Sequence, residues 1–250
     1  MIPDLDRLLP EIVALADRAG AVVLEHYRGD VTVRAKADAS PVTAADEAAE
    51  AVILARLAEL TPEIPTVAAG HVPDIDDGPF WLVDPLDGTK EFLSRNGEFT
   101  VNIALIQARE PVLGVVLAPA RSQAWWGART TGASARDAEG RTRAIAVRKR
   151  PADGLVAIAS RSHRDAETQA FLDQAGVAEC ISAGSSLKFC LIAEGKADLY
   201  PRFGRTMEWD TAAGHAVLSA AGGRVTTRNG APFLYRKPGF ENPPFIARGG

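Results

Sequence analysis

Apolar residues recur at helical spacing along the first stretch of the chain: Leu5, Leu8, Leu9, Ile12, Leu15, Ala19, Val22 and Val23. The pattern predicts a helix ending near Tyr27-Arg28-Gly29, then a short extended run, Val31 to Arg34. A second helix is expected over Ala44 to Leu60, with Ala49, Val52, Ile53, Leu57 and Leu60 on one side. Thr43 followed by Asp46 fits a capping box at its start, and Pro62 and Pro65 close it. The texture then changes. Phe80-Trp81-Leu82-Val83 is continuously apolar and reads as a buried strand, and Phe99–Ile106 and Pro111–Leu117 read as a hairpin. Ser122 to Trp126 extends the sheet, with an edge strand at Ala144–Val147.

Beyond a boundary expected near Pro151, the pattern alternates strand and helix, which indicates an α/β layer. The strands are Leu155–Ala159, a short one beginning at Ile181, and Asp198–Tyr200. The helices are Ala166–Gln174, Ser185–Glu194 and Thr211–Ala221, the last stopped by Gly222-Gly223. The Pro- and Gly-rich tail from Pro238 onward predicts no element. The chain thus divides into an N-terminal α+β part, 1–150, and a C-terminal α/β part, 151–250.

Composition narrows the classes. With 46% hydrophobic and 24% charged residues, the chain has the apolar content of a folded domain and not of a disordered one. A net charge of −4 argues against a binder of nucleic-acid polymers or anionic membrane surfaces, while leaving room for a local basic pocket. Two cysteines, Cys180 and Cys190, exclude a disulfide framework and are expected as buried small apolar residues. No run is long enough to span a bilayer, and Met1–Asp6 is acidic where a signal peptide is basic, so a soluble cytoplasmic protein is expected.

The densest candidate chemistry is Asp84-Pro85-Leu86-Asp87-Gly88-Thr89, at the C-terminal end of the buried strand. Two carboxylates on a Pro/Gly turn suit a hard divalent cation, with the Leu86 carbonyl as a further oxygen and Gly88 allowing close backbone approach. Asp-Pro and Asp-Gly are also ordinary turn formers. The buried lead-in and the Thr89 hydroxyl favour a site.

Here the sequence resembles a known family. Trp81 to Ile106 (WLVDPLDGTKEFLSRNGEFTVNIALI) is similar to the metal motif of the inositol monophosphatase superfamily, and Glu208-Trp209-Asp210-Thr211-Ala212-Ala213-Gly214 resembles its C-terminal signature. Lys90-Glu91-Phe92 with Asn96-Gly97-Glu98-Phe99, the segments Lys36-Ala37-Asp38 and Pro41 to Asp46, and Ser160-Arg161-Ser162-His163 resemble the bacterial 3′(2′),5′-bisphosphate nucleotidase branch. The resemblance implies a sugar-phosphatase-type αβαβα sandwich and removal of the 3′-phosphate of adenosine 3′,5′-bisphosphate with two or three Mg²⁺. It implies a lithium-sensitive enzyme of sulfur assimilation, and leaves room for a homodimer and for peripheral association with the inner membrane. By the same resemblance, Asp84, the Leu86 carbonyl, Asp87 and Asp210 are metal ligands, and Asp46 and Thr89 orient the attacking water. Leu86, Asp87, Gly88, Thr89, His163, Lys188 and Asp210 meet substrate. Lys36, Arg161, Arg202 and Arg205 are further candidates for the second phosphate. The bland readings are a helix cap for Asp46, Thr89 and Asp210 and a solvated face for the basic residues. The alternatives are an inositol or sugar monophosphatase, and a degenerate member that binds nucleotide with weak turnover.

One family feature is missing. The resemblance implies a Glu pair between the second helix and the Asp84 strand, the first Glu binding the first metal. Here Ile64-Pro65-Thr66-Val67 runs into Ala68-Ala69-Gly70-His71, and Glu63 precedes Pro65. Either alanines replace the pair or several residues are lost there. The second is favoured because Val72-Pro73-Asp74-Ile75 resembles the family's segment just after the pair. The expectation is a poor phosphatase, improved by restoring a Glu beside Val67.

Overall fold

A computed structural model describes residues 3–29, 33–35, 41–69, 71–159 and 166–250. It opens on helix α1 (Leu5–Arg28), with Asp4 accepting hydrogen bonds from the backbone N–H groups of Asp6 and Arg7 as its N-cap. Strands β1 (Val33–Ala35) and β2 (Pro41–Thr43) pair with each other and lead into helix α2 (Ala44–Leu60). A seven-stranded sheet comes next. Its strands are β3 (Thr66–Ala68), β4 (Phe80–Asp87), β5 (Thr100–Gln107), β6 (Glu110–Ala118), β7 (Gln123–Ala128), β8 (Gly132–Arg136) and β9 (Thr142–Ile145), in that spatial order. The short helix α3 (Thr89–Leu93) leaves the end of β4.

A five-stranded sheet forms from β10 (Leu155–Ala159), β11 (Val177–Ser182), β12 (Leu199–Arg202), β13 (Arg224–Thr227) and β14 (Phe245–Arg248), in the order β11-β10-β12-β14-β13. Helices α4 (Ala166–Gln174), α5 (Leu187–Ala193) and α6 (Ala212–Ala220) complete the chain. The layers are set by which side chains share a core. Trp81, Val83, Ile103 and Leu105 pack under α1 and α2. Phe80, Leu82, Ala104 and Ile106 face the other way, toward α5 and α6, and share a core with Ile158, Tyr200, Phe245 and Ala247 of the second sheet. Ala157, Ala159, Leu199 and Ile246 turn outward onto Leu172 of α4. The alternation along each strand thus buries both sheets on both faces, giving helix, sheet, helix, sheet and helix layers.

Two departures from the sequence expectation matter. The tail is not featureless: β14 lies between β12 and β13, paired antiparallel to both. Its four residues, Phe245-Ile246-Ala247-Arg248, are too short a run to stand out between Pro243-Pro244 and the terminal glycines. Cys180 is exposed on the edge strand β11, whereas Cys190 is buried as expected.

Helix α6 lies against β5, β6 and β7. Gly114 on β6 makes this possible, because a Cβ there would stand 2.6 Å from both the Ala213 carbonyl oxygen and Ala216 Cβ. That close approach brings the residues just before α6 onto the sheet that carries β4.

Candidate metal centre

Strand β4 runs past Asp84 to Asp87 and pairs with β5, Asp84 opposite Asn102 and Asp87 opposite Thr100. Pro85 and Leu86 therefore stand against the single residue Val101, a β-bulge. In a regular strand, residues three apart point to opposite faces. The extra residue reverses that parity and turns Asp87 to the side of Asp84. Proline suits the place because the bulge needs no ladder donor from it. The side in question is the one facing α6, in line with Phe80 and Leu82.

Asp210 arrives from the turn before α6. Its carboxylate accepts the Met207 N–H at 2.7 Å, and Thr211 and Ala212 donate their N–H groups to the Glu208 carbonyl. Ligand atoms of Asp84, Asp87 and Asp210 lie within 4.8 Å of one another. The neighbouring Glu208 has a different task. Fully buried, it accepts the backbone N–H groups of Arg236 and Lys237 and pairs with the Lys237 ammonium at 2.6 Å, so it ties the C-terminal loop under the turn. Trp209 packs near Phe240.

Around the carboxylates is a polar frame. The Asp84 carboxylate accepts the Leu86 N–H at 3.1 Å. Asp87 accepts from Asn102 Nδ2 at 3.3 Å, the Thr100 hydroxyl at 3.4 Å and the Ser186 hydroxyl at 3.2 Å. Ser185 reaches the Asp87 and Glu98 carbonyls at 2.9 and 2.8 Å. Gly88 is left-handed at φ 89°, and a Cβ there would collide with Ser185 Oγ.

Electrostatics show what the cluster suits. Burial pushes the Asp87 carboxyl above its ordinary value, opposed by the Lys188 charge and the Asn102 bond. Asp210 is pushed up to about 7, by burial first and the Asp87 charge second. Beside Asp84, the Asp87 and Asp210 carboxylates, whose charged forms burial disfavours, with Asp87 also acting against Asp210, fit a divalent cation, which relieves both penalties. Their hardness suits Mg²⁺.

The other expected residues divide. Leu86 and Gly88 sit between the two aspartates and just past them, within and beyond the bulge. Thr89 is the first residue of α3 and half-buried, its hydroxyl bonded to no described residue. Asp46 is buried in the first turn of α2 and is not one of the three clustered carboxylates. Lys188 is buried, its ammonium donating to the carbonyls of Ser185 at 2.6 Å and Ala183 at 3.4 Å, with burial lowering it to about 8. Arg202 donates to the Arg205 carbonyl, its Nε is buried with no partner among the described residues, and its charge acts on Asp210. Arg205 pairs with Glu241. His163, Lys36, Arg161 and the segment Ser160–His163 lie outside the described residues. Sequence reasoning missed the roles of Thr100, Asn102 and Glu208. Asn102 carried a signal, since it interrupts the apolar run Val101 to Ile106.

At the expected place of the Glu pair, β3 ends at Ala68, paired with Val83, and the Ala69 N–H donates to the Val83 carbonyl. One residue past that register, Ala69 stands level with Asp84. Among the described residues, no side chain of this segment joins the three carboxylates.

A five-layer α/β sandwich with three aspartates converging from β4 and the α6 turn defines a metal-dependent phosphatase architecture, and the chain belongs to the inositol monophosphatase family, whose model matches residues 4–245. Among its relatives is the 3′(2′),5′-bisphosphate nucleotidase CysQ of Escherichia coli K12, 48% identical over 249 residues, covering 95% of this chain and 98% of that one. The protein of the same name from Buchnera aphidicola is 40% identical, covering 92% and 88%. In solved structures, CysQ from Bacteroides thetaiotaomicron superposes with a TM-score of 0.81 at 38% identity over 95% of each chain. An IMPase from Thermotoga maritima gives 0.81 at 25% identity, covering 98% and 92%.

Proposed function

We propose that this chain is a Mg²⁺-dependent 3′(2′),5′-bisphosphate nucleotidase that releases the 3′-phosphate of adenosine 3′,5′-bisphosphate to give AMP and phosphate. The convergence of Asp84, Asp87 and Asp210 within 4.8 Å carries the reading, and the nucleotidases at 48% identity point to the substrate. Asp84, Asp87, Asp210 and the Leu86 carbonyl would hold the cations. When bound, they would supply Lewis-acid polarisation and lower the pKa of bound water. The chain's own work is to orient and to exclude water. Asp84 and Asp87 are fixed on one face by the bulge. Gly88 would open a backbone path to the phosphate, and the Thr89 hydroxyl, on the first residue of α3, would with Asp46 orient the attacking water. Arg202, through its buried Nε, and His163 are the basic groups assigned to the second phosphate. Lys188 acts as a buried positive charge beside Asp87, its donors directed to loop carbonyls.

The absence of a Glu beside Val67, where Ala68-Ala69 stands, favours one second reading, a member that binds nucleotide and turns it over weakly. Phosphate release from adenosine 3′,5′-bisphosphate and from inositol 1-phosphate, measured across a Mg²⁺ titration, tests both. Faster release from the nucleotide is expected. Faster release from inositol 1-phosphate would overturn the substrate assignment, and tight nucleotide binding with little or no Mg²⁺-stimulated hydrolysis would favour the second reading.

A further inference from the structure

Asp87 and Asp210 come from different parts of the fold. Asp87 ends β4 in the seven-stranded sheet, and Asp210 precedes α6. Their charges repel, so something must fix their separation before any cation arrives. Ser186 bonds to both segments. It is 1% exposed, just before α5. Asn102 Nδ2 donates to its hydroxyl at 2.9 Å. The single hydroxyl proton is then shared between the Asp210 carbonyl at 2.9 Å and the Asp87 carboxylate at 3.2 Å. Asn102 also donates to the same Asp87 oxygen, closing a ring of Asn102, Ser186 and Asp87.

Ser186 is itself held. Ser185 is pinned to the Asp87 and Glu98 carbonyls, the Glu98 carboxylate accepts the Gly184 N–H at 2.9 Å, and the Lys188 ammonium grips the Ser185 carbonyl. A hydroxyl so fixed from both sides cannot turn away, and hydrogen bonds to charged acceptors are the stronger kind.

We propose that Ser186 is a positioning residue whose hydroxyl sets the spacing of Asp87 and Asp210, and with it the affinity of this pair for a divalent cation. The inference rests on the metal reading above, and the experiment separates the two. Mn²⁺ is the probe, its affinity measured by calorimetry on the wild-type protein and on Ser186→Ala, Ser186→Cys and Ser186→Thr, with metal-free melting temperatures beside it. Ser186→Ala is expected to bind Mn²⁺ about tenfold or more weakly, the effect of losing one charge-assisted bond. Its Mg²⁺ activation curve shifts to higher concentration while kcat at saturating Mg²⁺ recovers. Ser186→Cys keeps the side chain's shape with a slightly larger, weaker-bonding sulfur and shifts in the same direction. Ser186→Thr keeps the hydroxyl and stays near wild type. A merely structural serine would lower the melting temperature and leave the Mn²⁺ affinity alone. Equal Mn²⁺ affinity in folded Ser186→Ala or Ser186→Cys overturns the proposal, as does an equal loss in Ala and Thr. Absence of Mn²⁺ binding by the wild-type protein overturns the metal reading, and this proposal with it.

Discussion

Replacing Asp210 by Asn should make the metal-free protein more stable while destroying its function. Moving a carboxyl from its ordinary 3.8 to about 7 disfavours its charged form by roughly 4 kcal/mol in the folded state. Proton linkage gives the sign. The folded pKa lies above the unfolded one, so between about pH 4 and 7 the folded protein holds a proton that the unfolded chain has released. The stability from that proton is intact below pH 4, falls as pH rises and is gone above 7. An amide at 210 carries no charge, and its carbonyl can still accept the Met207 N–H. Relief shared with Asp87 cuts the gain, leaving roughly 1–3 kcal/mol at pH 8, or several degrees in Tm for a chain of this size. Thermal melts in EDTA at pH 5 and pH 8 check it. At pH 8 the variant should melt higher than wild type, and at pH 5 the difference should shrink. Adding Mg²⁺ at pH 8 should raise wild-type Tm by mass action, leave the variant nearly unmoved, and support phosphate release by wild type alone. A variant no more stable at pH 8 in EDTA, or equally favoured at pH 5, would refute the argument that burial and Asp87 strain this carboxylate.

Ala69→Glu should add a fourth carboxylate level with Asp84. Phosphate release is expected to rise about tenfold and to need less Mg²⁺, as adding one anionic ligand worth over 1 kcal/mol would do; the Mg²⁺ titration of initial rates reads it, and unchanged rates would show that this position does not reach the site. Gly114→Ala should force α6 off β6, since the new Cβ would stand 2.6 Å from Ala213 and Ala216. Overpacking of this kind costs about 1–3 kcal/mol. Because Asp210 leads into α6, Mg²⁺-supported activity should fall as well as Tm, and a change in Tm with full activity would separate the helix contact from the site.

The layers and most elements were legible because the cores are built from periodic apolar runs. Helix α1 and the strands β4 to β7 announce themselves through Leu5 to Val23 and Phe80 to Trp126. What stayed hidden depends on partners distant in the chain. β3, β13 and β14 are three- or four-residue strands whose identity comes from the strands beside them. The aspartates themselves were legible from the two motifs, but their shared face was not. Asp84 and Asp87 meet because Pro85 and Leu86 oppose one residue of β5, and pairing register is invisible in one strand's sequence. Lys188 draws notice by its charge, and only the surrounding carbonyls of Ala183 and Ser185 reveal where that charge is engaged.

Charge balance explains why position 69 carries so much weight. Three carboxylates bring three negative charges to the cluster, and two Mg²⁺ would bring four positive ones. Such a site is left with a net positive charge that a phosphate dianion can satisfy, so cation and substrate would each raise the other's affinity by the reciprocity of coupled binding. A fourth carboxylate from Ala69→Glu would neutralise the ions on its own. Cation binding would then depend less on the nucleotide, which is the physical content of the lower Mg²⁺ requirement expected for that variant. The same balance accounts for the Ser185–Ser186 segment. With two cations, so few resident charges would leave the geometry of Asp87 and Asp210 to be set by neutral donors, the role proposed above for the Ser186 hydroxyl, which with the Asn102 amide adds no charge.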